Sequence, residues 1–194
     1  MEEGVSMPGT EAGPAAGGTG CPGSEGDLTA GGTDCPGSEA GLTAGGAGLL
    51  AQIKECFPGK QADVRAYSPL ALAYIGDAVY DLIIRTVVVE RANRPANELH
   101  RLTVRYVSAG AQAKIAQALA DRLTEEERAV YRRGRNSKPH TKAKNASQRD
   151  YLQATGLEAV LGYLYLSDNM PRVLELVREG IALVGMNDDK IFRI

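Results

Sequence analysis

Asp77 and Glu158 are the residues best suited to chemistry in this 194-residue chain. Asp77 lies in AYIGDAVYDLIIR (73–85) and Glu158 in TGLEAVLGYLYL (155–166), both mainly apolar and patterned as helix. Enclosing an ionised carboxylate is costly unless a cation, a metal or a proton neutralises it. At helical spacing the Glu158 face carries Tyr151, Thr155, Leu161, Gly162 and Tyr165, with no Lys or Arg one turn away. Asp77 has Arg85 two turns on and the small residues Gly76 and Ala78 beside it, which let something large approach. Carboxylates of this kind suit Mg2+, a hard ion held by one or two carboxylates together with waters and phosphate oxygens. Phosphodiester hydrolysis needs such a metal to activate water, stabilise phosphate charge and assist the leaving oxygen. Asp77 and Glu158 are therefore candidate metal ligands and catalytic residues, with Asp77 the better placed to orient the attacking water.

Blander readings compete at each position. Asp77 could be a capping or salt-bridged acid. Glu158 could sit in the first turn of a helix after Gly156, favoured by the helix dipole. Asp81, at i+4 from Asp77, shares its face and is a weaker ligand candidate, with Arg85 at i+4 as its ordinary partner.

The elements that must position these acids read as all helix. Pro69 suits the first turn of a helix through Leu70, Ala73, Ile75, Val79, Leu82 and Ile83 towards Val87. Val87, Val88 and Val89 alone would pass for a strand, but no second strand pattern exists to pair with them. Pro95 opens the next helix, Ser108 caps another, and Thr124 with Glu127 forms a capping box for a short helix ending near Gly134. A helix around Tyr151 leads to Gly156 and the Glu158 helix, and Pro171 starts the last long one. Six or seven helices with short turns make a compact all-α domain.

That domain is expected over 48–194. Residues 1–47 contain no Lys, Arg or aromatic residue and are rich in Gly, Ala, Ser, Thr and Pro, a composition expected to stay disordered. They include a tandem repeat, GGTGCPGSEGDLTA (17–30) and GGTDCPGSEAGLTA (31–44), too short for a packed solenoid. Cys21 and Cys35 recur with the repeat and Cys56 stands alone, so neither a disulfide framework nor a zinc site is favoured. No signal peptide and no membrane span are expected, and the protein is expected to be soluble and cytoplasmic, with no membrane partner.

Charge separates the same two regions. Residues 48–194 hold all 22 Lys and Arg against 17 of the 24 acids, a net of +5 that is compatible with a polyanionic partner. Seven of those cations lie in RRGRNSKPHTKAKNASQR (132–149), which contains no acid and is broken by Gly134 and Pro139. It reads as a loop between helices.

YSPLALAYIGDAVYDLIIR (67–85) together with YRRGRNSKPHTKAKNASQRDYLQATGLEAVLGYLYL (131–166) resembles the Mini-ribonuclease III branch of the ribonuclease III family, over about residues 67–180. In that family the Asp of a Gly-Asp pair and the Glu of a later Glu-Ala pair bind magnesium, which implies those roles for Asp77 and Glu158. The resemblance also implies a helical endonuclease domain that dimerises, with a metal site at each end of a shared RNA cleft. Where the larger family members carry further acids, this chain has Leu70, Ala73 and Thr155. These departures match the Mini branch and leave two clear acidic ligands per subunit. Thr155, one turn before Glu158, could hold a metal-bound water.

No further RNA-binding domain is expected after Ile194, so the basic loop is expected to grip much of the substrate. Arg132, Arg133, Arg135, Lys138, Lys142 and Lys144 offer phosphate contacts, and Asn136 and Asn145 can bond sugar hydroxyls or phosphates, although a charge run is often only a solvated surface. His100 and His140 are not needed as general bases. Tyr74, Tyr163 and Tyr165 fit core or dimer contacts better than base stacking. The expected function is a Mg2+-dependent homodimeric endoribonuclease cutting double-stranded RNA. By resemblance it would mature the large-subunit (23S) ribosomal RNA precursor, leaving 5′-phosphate ends, with a ribosomal protein as helper. The alternatives are a non-catalytic double-stranded-RNA-binding or ribosome-assembly module of the same fold, and a protein-interaction domain.

Overall fold

A computed structural model describes residues 48–60, 62–137, 147–186 and 191–192. The expected 1–47 tail, with Cys21 and Cys35, lies outside the described residues, as do Lys138, His140, Lys142, Lys144 and Asn145. Among the described residues there are seven α-helices and no strand: α1 (Leu49–Cys56), α2 (Pro69–Ala92), α3 (Ala96–Val107), α4 (Ala109–Ala118), α5 (Glu125–Arg135), α6 (Gln148–Leu166) and α7 (Met170–Leu183). A 3-10 turn, Val64–Ala66, precedes α2.

Local chemistry accounts for most of the starts. The Ala71 N–H donates to the Ser68 hydroxyl at 3.1 Å, with Pro69 in the first turn of α2, where its missing N–H costs nothing. The α5 capping box forms in both directions, with Glu127 N–H donating to Thr124 Oγ1 at 3.2 Å and Thr124 N–H donating to Glu127 Oε2 at 2.8 Å. Ser108 stands at the junction of α3 and α4, but its hydroxyl makes no capping bond. The three valines at 87–89 continue α2; Val88 is buried in the core, and that packing overrides any strand preference.

Gly156 does not divide the chain into two helices, because α6 runs unbroken from Gln148 to Leu166. A Cβ at Gly156 would lie 2.7 Å from Cε2 of Tyr131, so this glycine serves close packing of α6 on α5 and not a turn. Eleven residues of α6 are buried, on every side of the helix, which marks it as the core element. Helices α2, α4, α5 and α7 all pack against it. Glu127 and Arg172 tie α5 to α7 through a two-pronged ion pair at 2.9 and 3.1 Å, and Arg172 also donates to the Arg122 carbonyl. Among the described residues no helix is long and apolar enough to cross a membrane.

Candidate active site

Two glycines bring the carboxylates together. A Cβ at Gly76 in α2 would lie 2.8 Å from the Gly162 nitrogen in α6 and closer still to the Glu158 carbonyl oxygen. A Cβ at Gly162 would meet the Gly76 nitrogen at 3.0 Å and run into the Leu72 carbonyl. The backbones of α2 and α6 therefore touch where Asp77 follows Gly76 and where Glu158 begins the turn leading to Gly162. The large neighbour expected beside Gly76 is the α6 backbone itself. Glu158 is the eleventh residue of α6, which removes the helix-start explanation for it, and Asp77, nine residues into α2, is not a cap.

Glu158 is half-buried and Asp77 keeps more contact with solvent. Burial, and then the charge of Asp77, push the Glu158 carboxyl up to about 7, partly offset by the nearby amide of Gln112. Asp77 is raised as well, first by the packing on its inner side and then by the charge of Asp81, again offset by Gln112. Its openness to solvent screens that effect. Two oxygen-donor groups that repel each other, with no Lys or Arg among the described residues set against either, form a donor set that a hard divalent cation would neutralise. The residues present thus fit Mg2+.

The other candidates separate clearly. Asp81 is ion-paired with Arg85 one turn on, its ordinary partner, while its charge still reaches Asp77. Thr155 is buried and spends its hydroxyl proton on the Tyr151 carbonyl at 2.9 Å, so only its lone pairs remain for a water. Tyr165 is in the core, Tyr74 is exposed, and Tyr163 is partly buried against the core. His100 is exposed on α3, on an element that does not touch α6 closely.

The basic end of α5 abuts the same region of α6, since a Cβ at Gly134 would contact Ala159, Gly156 and Thr155. Arg132, Arg133, Arg135 and Asn136 are all exposed there. Arg132 pairs with Glu125 at 3.0 Å and Arg133 donates to the Tyr67 carbonyl at 3.1 Å, both partners that an RNA phosphate would compete with. Arg135 and Asn136 line an open pocket of about 440 Å³ with Gln148, Arg149, Leu152 and Gln153. Arg149 and Gln148 were not singled out as contacts from the sequence, although Arg149 closes the acid-free run. Gln112 was missed because an uncharged amide in an Ala-rich helix carries no charge signal.

The sequence profile of the Ribonuclease III domain family matches residues 70–169. The chain is 45% identical over 130 residues to a Mini-ribonuclease 3 of Enterococcus faecalis, covering 66% of this chain and 98% of that protein. It is 46% identical over 121 residues to a Mini-ribonuclease 3 of a Thermoanaerobacter species, covering 62% and 85% respectively. A crystal structure of a Fusobacterium nucleatum protein superposes with a TM-score of 0.57 at 28% identity, covering 65% of this chain and 99% of that one.

Proposed function

The chain belongs to the ribonuclease III family and is an endoribonuclease, and from that premise we propose that it cleaves double-stranded RNA with Mg2+ held by Asp77 and Glu158. The observation that carries this reading is the contact of α2 and α6 at Gly76 and Gly162, which pairs two carboxylates 81 positions apart in the chain. Bound there, Mg2+ supplies a Lewis acid that lowers the pKa of water and offsets the charge on a phosphodiester. Asp77, the more open of the two, accepts a hydrogen bond from the attacking water and aims it. Glu158, more enclosed, anchors the cation from the core side. The products carry 5′-phosphate and 3′-hydroxyl ends.

Arg132, Arg133, Arg135 and Asn136 hold the RNA backbone beside this pair, joined by Lys138, Lys142, Lys144 and Asn145 from the segment outside the described residues. Contacts to phosphates and 2′-hydroxyls read duplex shape, so sequence preference is modest. The protein acts in the cytoplasm as a homodimer on the large-subunit ribosomal RNA precursor, with a ribosomal protein on that RNA as helper, and residues 1–47 are a separate tail. Cleavage of an end-labelled RNA duplex by the purified protein, with and without Mg2+ and beside Asp77→Asn, tests the reading. Discrete products that need both the metal and Asp77 support it. Duplex binding without cleavage across several RNAs and divalent ions would overturn the catalytic assignment in favour of a binding module.

A further inference from the structure

Gln112 lies in α4 with 1% of its surface exposed, flanked by Ala111 and Ala113. Helix α4 packs on α6, and the Gln112 amide lies near enough to Asp77 and Glu158 to lower the pKa of both carboxyls. Ionised carboxylates only accept, so the amide N–H2 group is what faces them. Its Oε1 is then left buried without a hydrogen-bond partner, the one such side-chain atom among the described residues. Native proteins rarely leave a buried acceptor unsatisfied, because the water it has lost is not replaced. Among the described residues no group of three or more His, Cys, Asp or Glu could hold a metal, so the carboxylate pair is short of protein ligands. A side-chain amide oxygen is a hard, neutral donor of the type that oxygen-loving cations accept.

We propose that Gln112 is the third member of the cation site, its N–H2 group positioning Asp77 and Glu158 and its Oε1 serving the cation or a water bound to it. This rests on the reading of Asp77 and Glu158 as the cation's ligands. The amide carries out both tasks by turning about its last bond, a soft sp3–sp2 torsion that exchanges nitrogen and oxygen. Without a cation the N–H2 group bridges two mutually repelling carboxylates. With a cation neutralising them, the oxygen takes its place. Helix α4 is held against α6 in this position by the Gln117 to Gln153 hydrogen bond at 2.6 Å. Gln112 is in this sense a positioning residue that also contributes an oxygen.

The test is Mn2+ binding by the full chain without RNA at pH 8, following free Mn2+ by electron paramagnetic resonance. Wild type is compared with Gln112→Leu, Gln112→Glu, Asp77→Asn and Glu158→Gln, and each is also melted in EDTA. Gln112→Leu is expected to weaken Mn2+ binding about tenfold, in the range found for groups that support metal ligands. Leu removes the unsatisfied acceptor but also the N–H2 bridge between the carboxylates, so melting in EDTA reads the structural role of Gln112 separately from its effect on Mn2+ affinity. Gln112→Glu, nearly isosteric, should bind Mn2+ more tightly than wild type. A lower melting temperature with unchanged Mn2+ affinity in Gln112→Leu would make Gln112 merely structural and overturn the proposal. Should Gln112→Leu fail to fold, Gln112→Glu decides, with unchanged affinity overturning it. Mn2+ binding lost in Asp77→Asn and Glu158→Gln but kept in both Gln112 variants overturns this proposal alone. Binding kept in all four variants overturns the ligand assignment itself.

Discussion

Replacing Glu158 by Gln should make the metal-free protein more stable at pH 8, while leaving it close to wild type at pH 4.5 and below. The folded Glu158 carboxyl is pushed from 4.5 up to about 7, which corresponds to about 3 kcal/mol at ~1.4 kcal/mol per unit. The unfolded chain releases this proton near pH 4.5 and the folded chain near 7, so between those values the folded state binds more protons. Stability therefore falls as pH rises through that window, and above it the full penalty is present. Glu127 works outside the window. Burial raises its carboxyl, but hydrogen bonds from Arg172 and Thr124 lower it further, so its contribution is present above 4.5 and is lost only below. The shift of Asp77 has the same sign as that of Glu158, but it is shared by both proteins and drops out of the comparison. Urea unfolding in EDTA at pH 5 and pH 8 measures the effect. Wild type should lose about 2.5 kcal/mol more than Glu158→Gln between the two conditions, and Mg2+ at pH 8 should restore wild type while doing little for the variant. Equal pH dependence in the two proteins would refute the enclosed, cation-seeking carboxylate.

Gly76→Ala should force α2 and α6 apart, costing at least about 3 kcal/mol by thermal unfolding, and should abolish cleavage. Gly110→Ala, with nothing within 4 Å of its added carbon, should instead gain about 0.5–1 kcal/mol and leave cleavage intact. Glu127→Ala leaves Arg172, only 19% exposed at its side chain, without its main partner and should cost about 3–5 kcal/mol in urea unfolding. Arg135→Ala with Arg149→Ala should weaken duplex RNA binding and reduce the slope of log affinity against log salt by about two, with cleavage chemistry unchanged at saturating RNA.

The helices were legible because their signals are local. Ser68 and Pro69 start α2, and the Thr124 and Glu127 pair starts α5, through bonds within one turn, so neighbouring residues suffice to predict them. Gly156 misled for the same reason. A glycine inside a helix pattern reads as a break until the Tyr131 ring that needs its missing side chain is seen across from it.

Asp77 and Glu158 stood out from their apolar surroundings, and the sequence by itself determined that two carboxylates were present on helices of a ribonuclease III type, together with a run of cations read as a loop. Which groups surround those acids was decided only by the tertiary structure. Gly76 and Gly162 are unremarkable in one dimension, and it is the crossing of α2 and α6 that makes them a contact. Gln112 carries no charge and belongs to no pattern, and it becomes part of the site only because α4 packs on α6 beside both carboxylates. Burial, repulsion and hydrogen bonding depend on distances between segments far apart in the chain, and the order of residues along one segment does not encode them.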